Sequence, residues 1–264
     1  MSLSKLSVIL FLTPVTLLFF SCQKKFGTPS DAPRPTGIEL QASLKKDLWG
    51  FYTFSHGFSD QSGNNHDLTP SNSLKLTYDI IGNPDQAVEF NEADDYAIID
   101  AGKNFPDSDF SISFTVMPTV MNGNIFQKVD FTTNKGYSFS IGLDNTASNK
   151  FLFSTNQAGD PCSSAFNTNT PTAITGDRAL FPNAWYYVCF TFKGGEELIY
   201  VNGELIADLK TPVSTLQHCQ SAPFYLGVPA AAGIPGFMGK MDNLRIYSRA
   251  LTEDEVIYLM ETYK

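Results

Sequence analysis

Nothing in this sequence constrains the fold more than its succession of short apolar runs, each a few residues long and bounded by turn-forming residues. Phe110, Ile112, Phe114 and Val116 alternate with Ser111, Ser113 and Thr115. A period of two puts one set on the core face of a half-buried strand and the other on its outer face. Residues 185–192 are apolar on both faces, which predicts a central strand covered on both sides. Residues 87–90, 96–99, 125–131, 137–143 and 151–155 are further short β-like runs. Residues 198–207 read as a hairpin, because Asn202-Gly203 suits a type I′ turn whose two central residues need positive φ. Many short strands with regular turns and hardly any helical periodicity predict an all-β, antiparallel β-sandwich.

The one helix expected closes the chain. Residues 236–248 read as a strand that enters past a glycine and alternates through Met241, Asn243, Arg245 and Tyr247. Thr252 and Glu255 then have the spacing of a capping box, in which two side chains satisfy orphan helix amides. Val256, Ile257, Leu259 and Met260 give that helix an apolar side.

Gly239, Met241, Asp242, Asn243, Leu244, Arg245, Ile246, Tyr247, Arg249, Ala250, Leu251, Thr252 and Glu255 together resemble the C-terminal signature of laminin-G-like domains of the concanavalin A-like lectin/glucanase superfamily. Near the other end, Tyr52, Phe54, Asp60, Ser62, Gly63, Asn64 and Asp67 are similar to that family's N-terminal pattern. Trp185, Val188 and Thr191 resemble its W-x-x-V-x-x-T strand. The resemblance spans residues 44–264 and implies a concanavalin A-like jelly roll over that range.

Upstream, residues 1–21 hold one cation, Lys5, and an apolar run from Leu6 to Phe20, which reads as a signal peptide. The run ends Leu18-Phe19-Phe20-Ser21-Cys22. A small residue directly before a cysteine resembles a bacterial lipobox, although Phe19 stands where leucine is usual. The resemblance implies cleavage before Cys22 and lipidation there, and hence an outer-membrane lipoprotein whose surface or periplasmic face stays open. Ordinary secretion with a spare Cys22 is the other reading. Residues 22–43 carry proline and glycine without periodicity and read as a flexible tether.

The chain carries a formal net charge of −9, which argues against a nucleic-acid partner, since phosphate binding needs Lys and Arg to replace counterions. The same balance suits cations and neutral ligands. The stretch from Asp60 to Asp67 is dense in the oxygen donors that calcium takes. In many laminin-G-like domains the matching positions hold one calcium. The resemblance therefore implies a structural ion held by Asp60, Asp242 and backbone oxygens of Gly63 and of Asn65 or His66. Alternatively, Asp60 and Asn64 simply shape turns through side-chain to backbone hydrogen bonds.

Cys162 and Cys219 both lie in loop-like stretches and are the expected disulfide partners in an oxidising compartment, with Cys189 a buried mid-strand thiol. Connectivity is open from sequence, and no disulfide at all is the alternative. The long Asn- and Thr-rich stretch 156–181 is a candidate ligand loop. Asn167, Asn169 and Arg178 are candidate polar ligand contacts, with Phe166 or Phe237 as an aromatic platform. Core packing is the plainer role for such aromatics.

Catalysis is disfavoured. Retaining glucanases of the superfamily use an E-x-D-x-x-E strand, and no such pattern is present. Glu196-Glu197 and residues 252–255 fall at a turn and a helix start, where acids favour solvent and the helix dipole. His56, His66 and His218 have no zinc spacing. The expectation is a non-catalytic, lipid-anchored envelope protein that binds carbohydrate. A protein-binding adhesion module and a glycan hydrolase or lyase with no linear motif are the alternatives.

Overall fold

The computed structural model describes residues 34–92, 94–100, 105, 108–130, 135–144, 149–156, 172–175, 180–212, 214–216, 222–227 and 236–263, with side chains at 135–137 excepted. Two antiparallel sheets pack face to face. The first has eight strands. In spatial order they are β13 (Glu204–Lys210), β12 (Glu196–Val201), β11 (Tyr186–Lys193), β6 (Phe110–Pro118), β15 (Gly239–Tyr247), β4 (Ala87–Phe90) and β3 (Lys75–Thr77). The eighth, β1 (Leu48–Tyr52), also pairs with β15. The second sheet runs β10 (Thr172–Ile174), β9 (Lys150–Thr155), β8 (Lys135–Asp144), β7 (Gly123–Asp130), β14 (Phe224–Gly227), β5 (Tyr96–Ile99) and β2 (Thr69–Pro70).

The expected alternation decides which residues meet between the sheets. Phe110, Ile112, Phe114 and Val116 are fully buried in the inter-sheet core, together with Phe190, Ile246, Phe139 and Phe153. Aromatic rings carry much of that core. The ring of Phe110 lies 4.8 Å from that of Phe139 and 5.9 Å from that of Phe153, so one side chain links the two sheets. Rings of this size bury large apolar areas and lock together in stacked and edge-on arrangements. The hairpin forms as expected, with Asn202 at φ 52° and Gly203 at φ 80° between β12 and β13.

β6 departs from its half-buried pattern, because Ser111, Ser113 and Thr115 on its outer face are also buried. The cover is helix α2 (Glu253–Thr262) and the turn leading into it. The Ser111 hydroxyl accepts a hydrogen bond from the Leu251 amide at 2.8 Å. Thr252 and Glu255 form the capping box that their spacing predicts. Val256 and Leu259 then pack with Tyr187, Cys189, Tyr200 and Tyr247 on the outside of the first sheet. Cys189 is the buried free thiol expected.

A second helix, α1 (Gly37–Ser43), occupies the last seven residues of the stretch read as tether, and residues 22–33 lie outside the described residues. Thr36 and Glu39 form a capping box that satisfies its first amides. Its C-terminal end is tied to α2: the Arg249 guanidinium donates to both Glu255 oxygens at 2.7 and 2.8 Å and to the Ser43 carbonyl at 2.9 Å. The Ser43 hydroxyl donates to Glu255 at 2.6 Å. Seven residues without tertiary partners are too few to hold a helix in water, and none of the seven is buried. This tie is therefore what holds α1, and its partner lies more than two hundred residues away. Among the described residues no helix is long and apolar enough to cross a membrane.

Candidate carbohydrate-binding face

Antiparallel pairing brings seven residues from seven strands to one register on the outer face of the second sheet. Thr172 pairs with Ser154, Ser154 with Ser140, Ser140 with Gln127, Gln127 with Tyr225, Tyr225 with Ile98 and Ile98 with Thr69. Side chains at one register share a face. Phe139, Ile141, Phe153, Phe126 and Phe224, beside them along their strands, point into the core. The row divides by chemistry. Hydroxyls and an amide occupy the β10 to β7 side, and an aromatic and aliphatic patch of Tyr225, Tyr96, Ile98 and Val129 occupies the other.

The polar half is shaped by hydrogen bonds. The Ser154 and Thr172 hydroxyls lie 2.8 Å apart, and the Ser140 hydroxyl donates to Asn124 Oδ1 at 3.2 Å. Asn124 lies across Gly142 on β8. A Cβ on Gly142 would sit 2.8 Å from Asn124 Oδ1 and 3.1 Å from the Gly123 carbonyl, so the amide keeps its place only over a glycine. At the centre of the row Gln127 is only 2% exposed, and its Nε2 has no hydrogen-bond partner. A buried amide donor left unmade costs roughly 1–3 kcal/mol, so the row holds a group poised for an acceptor.

On the aromatic half, the Tyr96 and Tyr225 rings lie 6.1 Å apart at 51°. Burial pushes the Tyr225 phenol above its ordinary pKa, and the charges of Asp130 and Asp100 add to the shift. The phenol therefore stays protonated at neutral pH beside two carboxylates. Most of this row is buried, with Tyr225 7%, Ser140 8% and Ser154 6% exposed, and it gathers ring surface, neutral donors and acceptors and nearby acids. These are the groups that match the apolar faces and the hydroxyls of a sugar.

The calcium expectation meets a different geometry. Both oxygens of Asp60 are committed to protein donors. Oδ1 accepts from the Phe51 and Ser62 amides at 3.0 and 2.9 Å, and Oδ2 from the Ser62 hydroxyl and the His66 amide at 2.8 and 3.0 Å. Burial alone would raise the pKa of this carboxyl, but the amides of Ser62, His66 and Phe51 hold it below its ordinary value. The Phe51 carbonyl accepts from the Gln61 amide at 2.8 Å, so both backbone groups of Phe51 face the loop. The loop therefore lies along the edge of β1 that faces away from β15, and β1 stands between Asp60 and Asp242. Each of the two carboxylates thus has protein partners of its own.

Asp60, Asn64 and His66 seal the edge of β1. Asn64 donates to the Leu48 carbonyl at 2.8 Å, Tyr52 donates to the His66 carbonyl at 2.5 Å, and the His66 ring stacks on Trp49 at 3.8 Å. Gly63 and Asn65 have φ of 90° and 59°, the left-handed conformations that this tight loop requires. This is the turn-shaping role for Asp60. Among the described residues no group of three or more His, Cys, Asp and Glu side chains converges.

Asp242 lies elsewhere, in a cavity of about 360 Å³ that Asp79 also lines. Its carboxylate accepts from the Asn243 amide and side chain at 2.5 and 2.9 Å. Burial pushes it up to about 7 against the Asn243 amide, with the charge of Asp79 adding to the rise. Asn243 itself stands at φ 55°, in the β15 bulge between the stretches that pair with β4 and with β1.

Phe237 is fully buried and packs 5.4 Å from Phe90, so it is a core residue and not an exposed ligand platform. Phe166, Asn167, Asn169, Arg178, Cys22, Cys162 and Cys219 lie outside the described residues. Glu197, expected at a solvated turn, is instead wholly buried, and it ties the two sheets together. It accepts from the Thr155 hydroxyl and, at 2.9 Å, from the Ala173 amide. No linear motif marked Gln127, Tyr225 or Ser140. Their strands alternate legibly, but only pairing across the sheet puts them in one row.

Comparison with known proteins places this architecture. A search of curated proteins gives no match. Among solved structures, the chain is similar to domain 4 of AbnA, an extracellular arabinanase from Geobacillus stearothermophilus solved with arabinotriose. The identity is 21% and the TM-score 0.56, covering 81% of this chain and 98% of that one. It is also similar to the binding domain of Paraclostridial mosquitocidal protein 1, at 20% identity and TM-score 0.64, covering 83% of this chain and 53% of that one. A third similar structure is the ligand-binding domain of botulinum neurotoxin serotype D with N-acetylneuraminic acid. There the identity is 15% and the TM-score 0.65, covering 84% of this chain and 52% of that one. This chain spans about half the length of the two toxin domains. The sequence profile described as Concanavalin A-like lectin/glucanases superfamily matches residues 91–257. Two antiparallel sheets with an aromatic inter-sheet core and a matching profile over most of the chain identify it as a member of the concanavalin A-like lectin/glucanases superfamily.

Proposed function

We propose that this protein binds carbohydrate on the outer face of its second sheet, as the sugar-binding module of a lipid-anchored envelope protein. The observation that carries the reading is Gln127, a buried amide with an unmade donor at the centre of a hydroxyl row. The Tyr225 and Tyr96 rings lie beside it. A sugar hydroxyl accepts that donor, while a ring face rests on the tyrosines. Similar sandwiches solved with arabinotriose and with N-acetylneuraminic acid support a sugar as the ligand class. The apolar run ahead of Cys22 supports attachment through a lipid at that residue.

Binding of the full chain to a panel of soluble polysaccharides and oligosaccharides tests this, with products examined on the same samples. Binding that Gln127→Ala and Tyr225→Ala each weaken, without new reducing ends, supports the reading. New reducing ends make the face catalytic and direct attention to Asp130 and Asp100. Absence of binding to every glycan sinks the proposal and leaves a protein partner. The exposed Tyr78, Ile80 and Ile81, between β3 and β4, are where such a partner would be sought.

A further inference from the structure

A second cavity lies on the opposite side of the sandwich, under α2, between α1, β1 and β15. Its volume is about 600 Å³, within the range of small-molecule sites. Among the described residues, the charged ones that line it are Lys45 and Arg245. No carboxylate of the described residues lines it, although the chain as a whole carries a net charge of −9. A concave site walled by one sign of charge concentrates the opposite sign.

Two donors in its wall have nothing to bind. The Arg245 guanidinium is sandwiched between the rings of Phe51 and Tyr263, 4.1 and 4.9 Å from their centroids. Its Nη1 is buried and has no hydrogen-bond partner. Tyr247 is wholly buried and its hydroxyl is likewise without a partner. Asp242 acts on Arg245 only through its charge and lines the neighbouring cavity, not this one. Packing against rings orients a guanidinium but leaves its N–H groups unsatisfied. Arg245 is half-buried, and a buried cationic N–H without an acceptor is among the costlier features of a fold. Leu44, Phe51 and Tyr258 supply apolar wall around these groups.

We propose that this cavity binds a small organic carboxylate. Its oxygens accept from Arg245 and Tyr247, its carbon skeleton lies along Leu44, Phe51 and Tyr258, and Lys45 draws it in at the exposed mouth. Two unpaired donors, two residues apart on β15 and lining one cavity, suit the two oxygens of a carboxylate. The apolar walls suit an organic tail better than a bare inorganic ion, whose remaining oxygens would be left dry. The site is separate from the glycan face and does not rest on that reading.

Titration calorimetry on the full chain tests the assignment, with glucuronate as an acidic sugar and hexanoate as an aliphatic acid. Glucose and sulfate serve as the neutral and inorganic controls. The expected result is saturable binding of at least one carboxylate, with neither control binding. Which carboxylate binds tells a sugar acid from a fatty-acid-like ligand. Tyr247→Phe removes only the unpaired hydroxyl and is expected to leave the melting temperature unchanged while weakening binding about tenfold, the worth of one hydrogen bond to a charged group. Lys45→Ala weakens it further by slowing capture, and Gln127→Ala on the glycan face leaves it unchanged. No heat with either carboxylate, equal binding of sulfate, or unchanged affinity in Tyr247→Phe each overturns the proposal. Arg245→Gln is a weaker test because the stacked guanidinium also packs, so Tyr247→Phe carries the decision.

Discussion

Replacing Glu197 with glutamine should make this protein's stability fall less steeply as pH rises over one window. Glu197 is wholly buried between the sheets, where it accepts from the Thr155 hydroxyl and the Ala173 amide. Burial pushes its carboxyl up from 4.5 to about 7, further than those hydrogen bonds pull it down. An acid whose folded pKa lies above its unfolded value keeps its proton in the fold while the unfolded chain has already lost it. Between about pH 4.5 and 7 the folded state therefore binds the extra proton, and stability falls as pH rises. At about 1.4 kcal/mol per pH unit, the wild type should lose about 3 kcal/mol to this group by pH 8. Glutamine cannot ionise, yet its oxygen can accept from Ala173 and its amide can donate to Thr155.

Asp242, also raised to about 7 by burial, contributes the same slope to both proteins and cancels in the difference. Urea denaturation at pH 4.5, 6, 7 and 8 gives both curves, provided the denaturant slope stays constant. Near pH 4.5 the two should agree within about 1 kcal/mol, and by pH 8 Glu197→Gln should be the more stable. Parallel curves across that range would refute the argument that burial governs this carboxyl.

Other expectations follow from the same geometry. Glu255 is held at about 2 chiefly by Arg249, Ser43 and the Thr252 amide, which overcome its burial. Its contribution is present above the unfolded pKa of 4.5 and is lost as pH falls toward 2. An acid-unfolding titration should therefore lose its steepest limb in Glu255→Gln. Asp60→Ala leaves the Phe51, Ser62 and His66 amides without their acceptor, and urea denaturation should show a loss of about 2–4 kcal/mol. If Asp60 and Asp242 share a calcium, chelator should lower the melting temperature, and an unchanged temperature would sink that assignment. Asp242→Ala should abolish that response. Gly142→Val should push Asn124 off the outer face and abolish glycan binding, while circular dichroism stays that of the wild type.

The sequence by itself determined the architecture and the way the chain closes. Alternation at period two is a local property, so Phe110 to Val116 declared their core face before any partner strand was known. The Asn202-Gly203 turn and the Thr252 and Glu255 capping box are equally local, each settled within four residues. Residues whose role depends on distant partners were not legible in this way. Helix α1 has no buried residue of its own and exists through Arg249 and Glu255 near the other end of the chain. Glu197 looked like a turn residue, because nothing nearby in sequence shows that β9 and β10 will close over it. Asp60 has the chemistry of a cation ligand, and only the fold shows that its oxygens also accept from amides along the edge of β1. The row through Gln127 and Tyr225 needs six strand pairings in register at once. Periodicity tells which side of a strand a residue faces, and only tertiary pairing decides which residues stand beside it.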